Sequence, residues 1–331
     1  MGKIRDRFNH YLNGVLDPNR YHGFEKKGPF FEGWYFKLVD LKGDHRWTVI
    51  PGVYIGVKAE DSHAFIQVMD GTSRNTQYFN FSYDQFRSDE TRFHTSIGGN
   101  EFSAEGIHLD IRNEELSIKG DLKFTGLTPW PVTLLSPGIM GWFAWVPGME
   151  CYHGIVSLDH EIHGSLQING QAIDFSAGRG YIEKDWGKAM PKAWIWSQCN
   201  HFYKPFTSLT LSVAVIPWGP VTFKGYIAGL LLDGNLHRFT TYTGARIENL
   251  ISSENEVMLT FSDGKERMEI LARQVGGGQL KAPTLTQMDR RISETLSSEI
   301  DIVLSARKNG RWQKVYEDSG RFAGLEVVGE L

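Results

Sequence analysis

Between Gly180 and Phe202 the chain sets Glu183 and Asp185 two residues apart and, beyond Pro191, sets Trp194 and Trp196 at the same spacing. Side chains alternate across a β-strand, so a spacing of two keeps a pair on one face. If both runs are strands, Tyr181, Glu183 and Asp185 share one face, and Trp194, Trp196, Gln198, Asn200 and Phe202 share another. Acids on one strand beside indoles on the next would set a proton donor against an apolar, π-rich wall. Asp185 is the first candidate for the donor, followed by Glu183. A turn cap, or pairing with Lys184 or Lys188, is the non-catalytic alternative for Asp185.

A third acid, Glu32, alternates with Trp34 and Phe36 in the run Phe31–Val39. On an inward face it would be a buried carboxylate, which must be protonated or paired. It is therefore either an acid or half of a structural ion pair. Trp34 and Trp186 are further indole candidates, with core packing as the plain alternative. Tyr35 and Tyr181 could orient a ring hydroxyl, and Asn200 could bond one, whereas His201 falls on the opposite face and reads as structural.

Other chemistries find little support. His153, His160 and His163 invite a metal reading, but His160-x-x-His163 spans an expected turn and lacks a third ligand at a metal-binding spacing, so no metal site is expected. There is neither a serine nucleophile elbow nor a Cys–His pair. Gly276-Gly277-Gly278 lacks the Lys-Ser/Thr of a phosphate loop. A net charge of −4 without a long basic cluster argues against nucleic acid. Cys151 and Cys199 cannot build a disulfide scaffold, and a reduced, cytoplasmic chain is the simpler expectation. The stretch at the N-terminus has no continuous apolar core, and nowhere do about 20 apolar residues run together as a spanning helix requires.

The elements that must position these residues read as strands. From Pro29 onward, short runs rich in aromatic and β-branched residues are separated by Asp70-Gly71, Asn169-Gly170, Asp233-Gly234, Asp263-Gly264 and Asn309-Gly310, which are hairpin turn signals. Alternating βα units are absent, so the chain is all-β. Two of the expected strands are 153–158 and 161–168, parted at 159–160. The stretch Leu127–Glu150 breaks the rhythm with four prolines and three tryptophans, and reads as a packed cover or a lid. Residues 3–16 carry Ile4, Phe8, Leu12 and Val15 at near-helical spacing, as for a helix plugging the end of a domain. Aromatic openings at Phe31–Phe36 and Lys192–Trp196 echo one another. Two β units follow, 21–176 and 177–331, behind an N-terminal segment 1–20.

The stretches PFFEGWYFK (29–37) and GYIEKDWGKAMPKAWIWSQCNHF (180–202), with a terminal GLEV, resemble the tocopherol cyclase family. That family is similar in turn to carotenoid hydratases and to certain fungal Diels–Alderases. The resemblance implies two tandem lipocalin-like antiparallel β-barrels or half-barrels, with the Pro/Gly/Trp-rich stretch as a connecting lid. It also implies a redox-neutral reaction without cofactor, in which a prenylated hydroquinone closes to a chromanol. A trisubstituted alkene is protonated to a tertiary cation that the phenol oxygen traps. A desolvated carboxyl suits the donor, because burial raises its pKa, and an indole face suits the cation. Water must be kept out, or it competes as nucleophile. The expected catalytic residues are Asp185, Glu183 and Glu32, and the expected substrate contacts are Trp34, Tyr35, Tyr181, Trp186, Trp194, Trp196, Gln198 and Asn200. The expected partner is a hydrophobic small molecule, with peripheral membrane contact left open. Two alternatives remain: a hydratase, in which water traps the cation, and a barrel that binds prenylquinones without catalysis.

Overall fold

In the computed structural model, residues 11–24 and 26–331 are described. They form two antiparallel sheets, of 12 and 10 strands. In chain order the first contains β1 (Phe30–Val39), β2 (Arg46–Ile55), β3 (His63–Asp70), β4 (Thr76–Ser82), β5 (Phe86–Ser88), β6 (His94–Ile97), β7 (Asn100–Ser103), β8 (Gly106–Arg112), β9 (Ser117–Thr125), β10 (Cys151–Ile168), β11 (Gln171–Asp174) and β12 (Gly178–Gly187). The second contains β13 (Trp194–Cys199), β14 (Ser208–Trp218), β15 (Val221–Leu232), β16 (Asn235–Thr240), β17 (Arg246–Ser252), β18 (Glu256–Ser262), β19 (Glu266–Arg273), β20 (Gly278–Ala282), β21 (Arg290–Lys308) and β22 (Arg311–Val328).

The turn chemistry explains much of this order. Asn169-Gly170, Asp233-Gly234 and Asn309-Gly310 each have both residues at positive φ. That is the mirror-image turn whose twist matches two paired strands, and Asn, Asp and Gly reach it most cheaply. Hairpin follows hairpin, and each series closes when its last strand pairs with its first, β12 with β1 and β22 with β13. The open ends fall between sequence neighbours, β4 and β5 in one sheet, β16 and β17 in the other. Every strand of the first sheet supplies its core, from Trp34 and Phe36 on β1 through Phe102 on β7 to Ile182 and Trp186 on β12. The sheet therefore curls round one interior, as a lipocalin-like barrel does. The second core, built from residues such as Ile195, Leu211, Phe239, Ile270 and Leu325, repeats the plan.

Two compact units result. The first comprises the described residues up to Met69, with Thr76–Met190 and Lys281–Arg291; the second comprises Asp70–Asn75, Pro191–Leu280 and Ile292–Leu331. The division near Pro191 differs from the expected break at 176/177, because β12 turns back to close the first sheet instead of opening the second. The Pro/Gly/Trp-rich stretch also lies inside the first unit, between β9 and β10, and so does not connect the two. The expected strands 153–158 and 161–168 are one strand, β10, with pairing irregularities between Ile155 and His160. Residues 11–16 are helical, and the rest of the expected N-terminal helix lies outside the described residues. Among the described residues, no helix is long and apolar enough to cross a membrane.

Burial separates the strands into two kinds. On β8 and β9 buried and exposed residues alternate, so one face meets solvent. On β1, β12 and β13 nearly every residue on both faces is buried. On β12 that burial takes in the charged side chains of Glu183 and Lys184, which therefore need partners.

Candidate functional site

In the first unit β12 lies between β1 and β10, and its alternation sorts the candidate residues by face. Ile182 and Trp186 belong to the barrel core, together with Trp34 and Phe36 of β1. Tyr181, Glu183 and Asp185 point the other way, as their spacing predicts. In register, Asp185 stands opposite His153 of β10, while Glu183 stands opposite Tyr35 of β1. Facing residues on adjacent strands are in contact range, and diagonal ones are within reach of long side chains.

A line of polar groups follows from that register. Tyr181 donates its hydroxyl hydrogen bond to Glu183. Glu183 Oε2 lies 3.4 Å from His153 Nε2, an ion-pair contact. On the other side of the imidazole, Nδ1 lies 2.8 Å from Asp185 Oδ1. Burial alone would push His153 down, but Asp185 and Glu183 outweigh it and raise the imidazole to about 10. At neutral pH His153 is therefore an imidazolium held between two carboxylates. The line has an inner and an outer end, since the Glu183 side chain is 5% exposed and that of Asp185 is 28% exposed. Tyr35 sits beside Glu183 and accepts a hydrogen bond from Thr48 Oγ1 at 3.2 Å. Cys151 Sγ lies 3.9 Å from Asp185 Oδ1, and burial pushes its thiol well up, so it is no ready nucleophile.

His153, Glu183 and Asp185 are also the one trio of metal-ligand side chains among the described residues, with donor atoms within 4.8 Å of each other. The two ring nitrogens, however, face different carboxylates, and an imidazole gives a metal only one lone pair. The geometry fits a proton relay better than a shared ion. His160 and His163 do not converge. His160 is buried against Phe124, with centroids 4.6 Å apart, whereas His163 meets Thr125 Oγ1 at the surface.

Glu32 occupies the opposite face of the same sheet, inside the barrel. It pairs with the fully buried Lys184 and accepts from the backbone N–H of His22 at 2.8 Å. Burial would raise Glu32, but Lys184 and His22 overcome it and hold the carboxyl below its ordinary range. Glu32 is thus half of a structural ion pair, the second of its two expected readings. Lys184 Nζ also lies 4.8 Å from the ring centres of both Trp34 and Trp186, and His22 stacks on Trp186 at 4.2 Å. Those two indoles serve the barrel interior, across the sheet from Glu183 and Asp185.

In the second unit, Ile195 and Cys199 enter the core, so Trp194, Trp196 and Gln198 take the other face of β13. Trp194 Nε1 donates to Glu326 Oε2 at 2.6 Å, and Trp196 pairs in register with Glu326. The Trp196 ring lies across Gly324, where an added Cβ would come within 2.7 Å of it. This gives the terminal GLEV a packing role. Alternation stops after Cys199. Phe202 joins the core instead of the indole face, in an isolated bridge to Gly320. Asn200 is buried, with its Oδ1 3.0 Å from His201 Nδ1, and His201 meets the Phe322 ring edge-on. The residue that sequence reasoning missed as part of the acid group is His153. Its signal was a histidine at a strand position of unknown register.

Comparison with known proteins agrees with this architecture. A sequence profile of the family described as "Tocopherol cyclase-like" matches residues 123–329, more than half of the chain. Tocopherol cyclase, chloroplastic, of Zea mays is 24% identical over 204 residues, covering 57% of this chain and 41% of the maize protein. The match thus spans less than half of that relative's length. The crystal structure of CghA superposes with a TM-score of 0.56 at 13% identity, covering 92% of this chain and 90% of that one. Kievitone hydratase from Nectria haematococca gives 0.53 at 10% identity, with 90% and 89% covered. At those identities the two structures share the fold. The sequence match goes further: this chain belongs to the tocopherol cyclase-like family.

Proposed function

We propose that the protein is an acid catalyst of the tocopherol cyclase type, closing a prenylated hydroquinone to a chromanol. The observation that carries this reading is the Tyr181–Glu183–His153–Asp185 line, in which one imidazolium serves two carboxylates. Glu183, the more buried end, is the donor. A proton passes from the imidazolium to Glu183, and the carboxyl transfers it to the alkene, whose π electrons form the new C–H bond. The phenol oxygen closes on the resulting tertiary cation, and the phenol proton returns to Glu183. Nothing is consumed and the product is an isomer of the substrate. The proton on Glu183 then passes back to His153, which restores the starting state, with Asp185 Oδ1 holding the imidazolium at 2.8 Å. Tyr181 and Tyr35 flank Glu183 and are the positioning candidates for the ring hydroxyl.

The test is anaerobic incubation with prenylated hydroquinones of several tail lengths, with the product read by mass. An isomeric product is expected, and Glu183→Gln should lower kcat by on the order of 100-fold or more, the usual worth of a general acid. Asp185→Asn should cost less and alter the pH profile. Full activity in Glu183→Gln would overturn the assignment. A product heavier by one water would identify a hydratase, and an unchanged retained ligand would identify a binder.

A further inference from the structure

The 24 residues from 126 to 149, between β9 and β10, contain no Asp, Glu, Lys, Arg or His. They nevertheless reach the surface. Leu135 is 84% exposed and Leu134 66%, with Val132 and Trp142 also exposed beside them. Trp130 and Ile139, one on each side of this tip, are buried and anchor it. Exposed leucines at the apex of an anchored, uncharged turn require an apolar environment to meet them.

The hydrogen bonds of the tip identify that environment. Thr133 N–H donates to Ser136 O at 3.1 Å, and Ser136 N–H donates back to Thr133 O at 3.2 Å. The carbonyl of Leu134 accepts from Trp145 Nε1 at 2.9 Å, and the carbonyl of Trp145 accepts from Tyr11 at 2.6 Å. A protein partner ordinarily takes about one hydrogen bond per 100–200 Å² of interface, and a tip whose Thr133 and Ser136 backbone groups and Leu134 carbonyl are already bonded, with Ser136 Oγ buried, offers little for that. A bilayer demands the opposite, because backbone groups left unpaired among acyl chains are costly. Trp142, stacked on Phe143 at 4.0 Å, places an amphipathic ring beside the leucines, the residue type favoured at the level of the headgroups.

We infer that residues 132–142 form a lipid-docking tip that enters the surface of a bilayer through Leu134 and Leu135. The inference rests on this surface alone and not on the proposed reaction. Because the tip has no charge, docking should work on zwitterionic lipid and tolerate salt, unlike docking by a basic patch. Each leucine buried in lipid strengthens partitioning on the order of ten- to a hundredfold.

The experiment is co-sedimentation of the full chain with phosphatidylcholine vesicles at low and high salt. Wild type should bind at both, and the paired change Leu134→Glu, Leu135→Glu should weaken binding by at least about tenfold. Leu41→Glu, at an exposed turn between β1 and β2, should bind as wild type does. Absence of wild-type binding, binding abolished by salt, or equal losses in the Leu41 and Leu134/Leu135 variants would overturn the proposal. Tryptophan quenching by brominated phosphatidylcholine in the unaltered protein gives a readout independent of any variant; quenching is expected, and its absence would count against docking.

Discussion

Replacing His153 with glutamine removes the single cation between Glu183 and Asp185 while keeping a side chain of similar size. Its consequence for stability can be worked out from the geometry. The imidazole is almost fully buried, yet two carboxylates at 2.8 and 3.4 Å lift it from 6.5 to about 10. Such a lift corresponds to roughly 5 kcal/mol of native-state preference for the charged form. That is also about what is lost when one member of a buried ion pair is deleted, 3–5 kcal/mol. In the folded chain the proton is held more tightly than in the unfolded chain. The stabilisation is therefore fully present below about 6.5 and is lost as pH rises toward 10.

Urea unfolding of wild type and His153→Gln at closely spaced pH values checks this directly. The difference between the two should be about 3–5 kcal/mol near pH 6, and should shrink by up to about 1.4 kcal/mol per pH unit above 6.5. Near pH 10 the two proteins should converge. A gap that stays constant across the range would mean that His153 is neutral in the native state, and the relay would lose its proton.

Two further predictions concern the barrel interior. Lys184→Met leaves Glu32 buried without its cation and should destabilise by about 3–5 kcal/mol, measured by urea unfolding. Adding Glu32→Gln to it should restore most of the loss, and a double variant as unstable as the single would refute the pairing account. His160 is held at about 3 by burial, so here the unfolded chain binds the proton more readily. Its contribution is complete above about 6.5 and is lost as pH falls through the acid range. His160→Phe should therefore flatten the acid limb of the stability curve, whereas an unchanged limb in acid titration would show that the ring charges in place.

Local chemistry made the strands legible. The Asn-Gly and Asp-Gly turns marked the hairpins, and alternation placed Tyr181, Glu183 and Asp185 on one face, as found. What local chemistry could not supply was pairing between distant segments. β12 was read as the opening of the second unit because nothing within it records that its partner is β1, far back in the chain. Likewise, the composition of residues 127–150 identifies an irregular stretch but not the two strands that it joins. His153 was missed for the same reason, since its meaning lies in the register that sets it opposite Asp185. Phe202 was misplaced because alternation was carried three residues beyond the end of β13 at Cys199.

One strand thus serves two ionised systems, and their difference supports the proposed choice of acid. On the core face of β12, Lys184 and Glu32 are both completely buried, and Glu32 accepts from Lys184 and from the backbone N–H of His22. Passing a proton from that pair to a substrate would leave one partner charged and unpaired away from water, at a cost of several kcal/mol. On the other face the proton lies on an imidazole with Asp185 Oδ1 2.8 Å from Nδ1 and Glu183 Oε2 3.4 Å from Nε2, so transfer to either carboxylate replaces an ion pair with a neutral pair. The partial exposure of Asp185 keeps that system in contact with water. The inner system can only hold the fold. The outer one is open to proton exchange, which is why we place the proposed acid at Glu183 and not at Glu32.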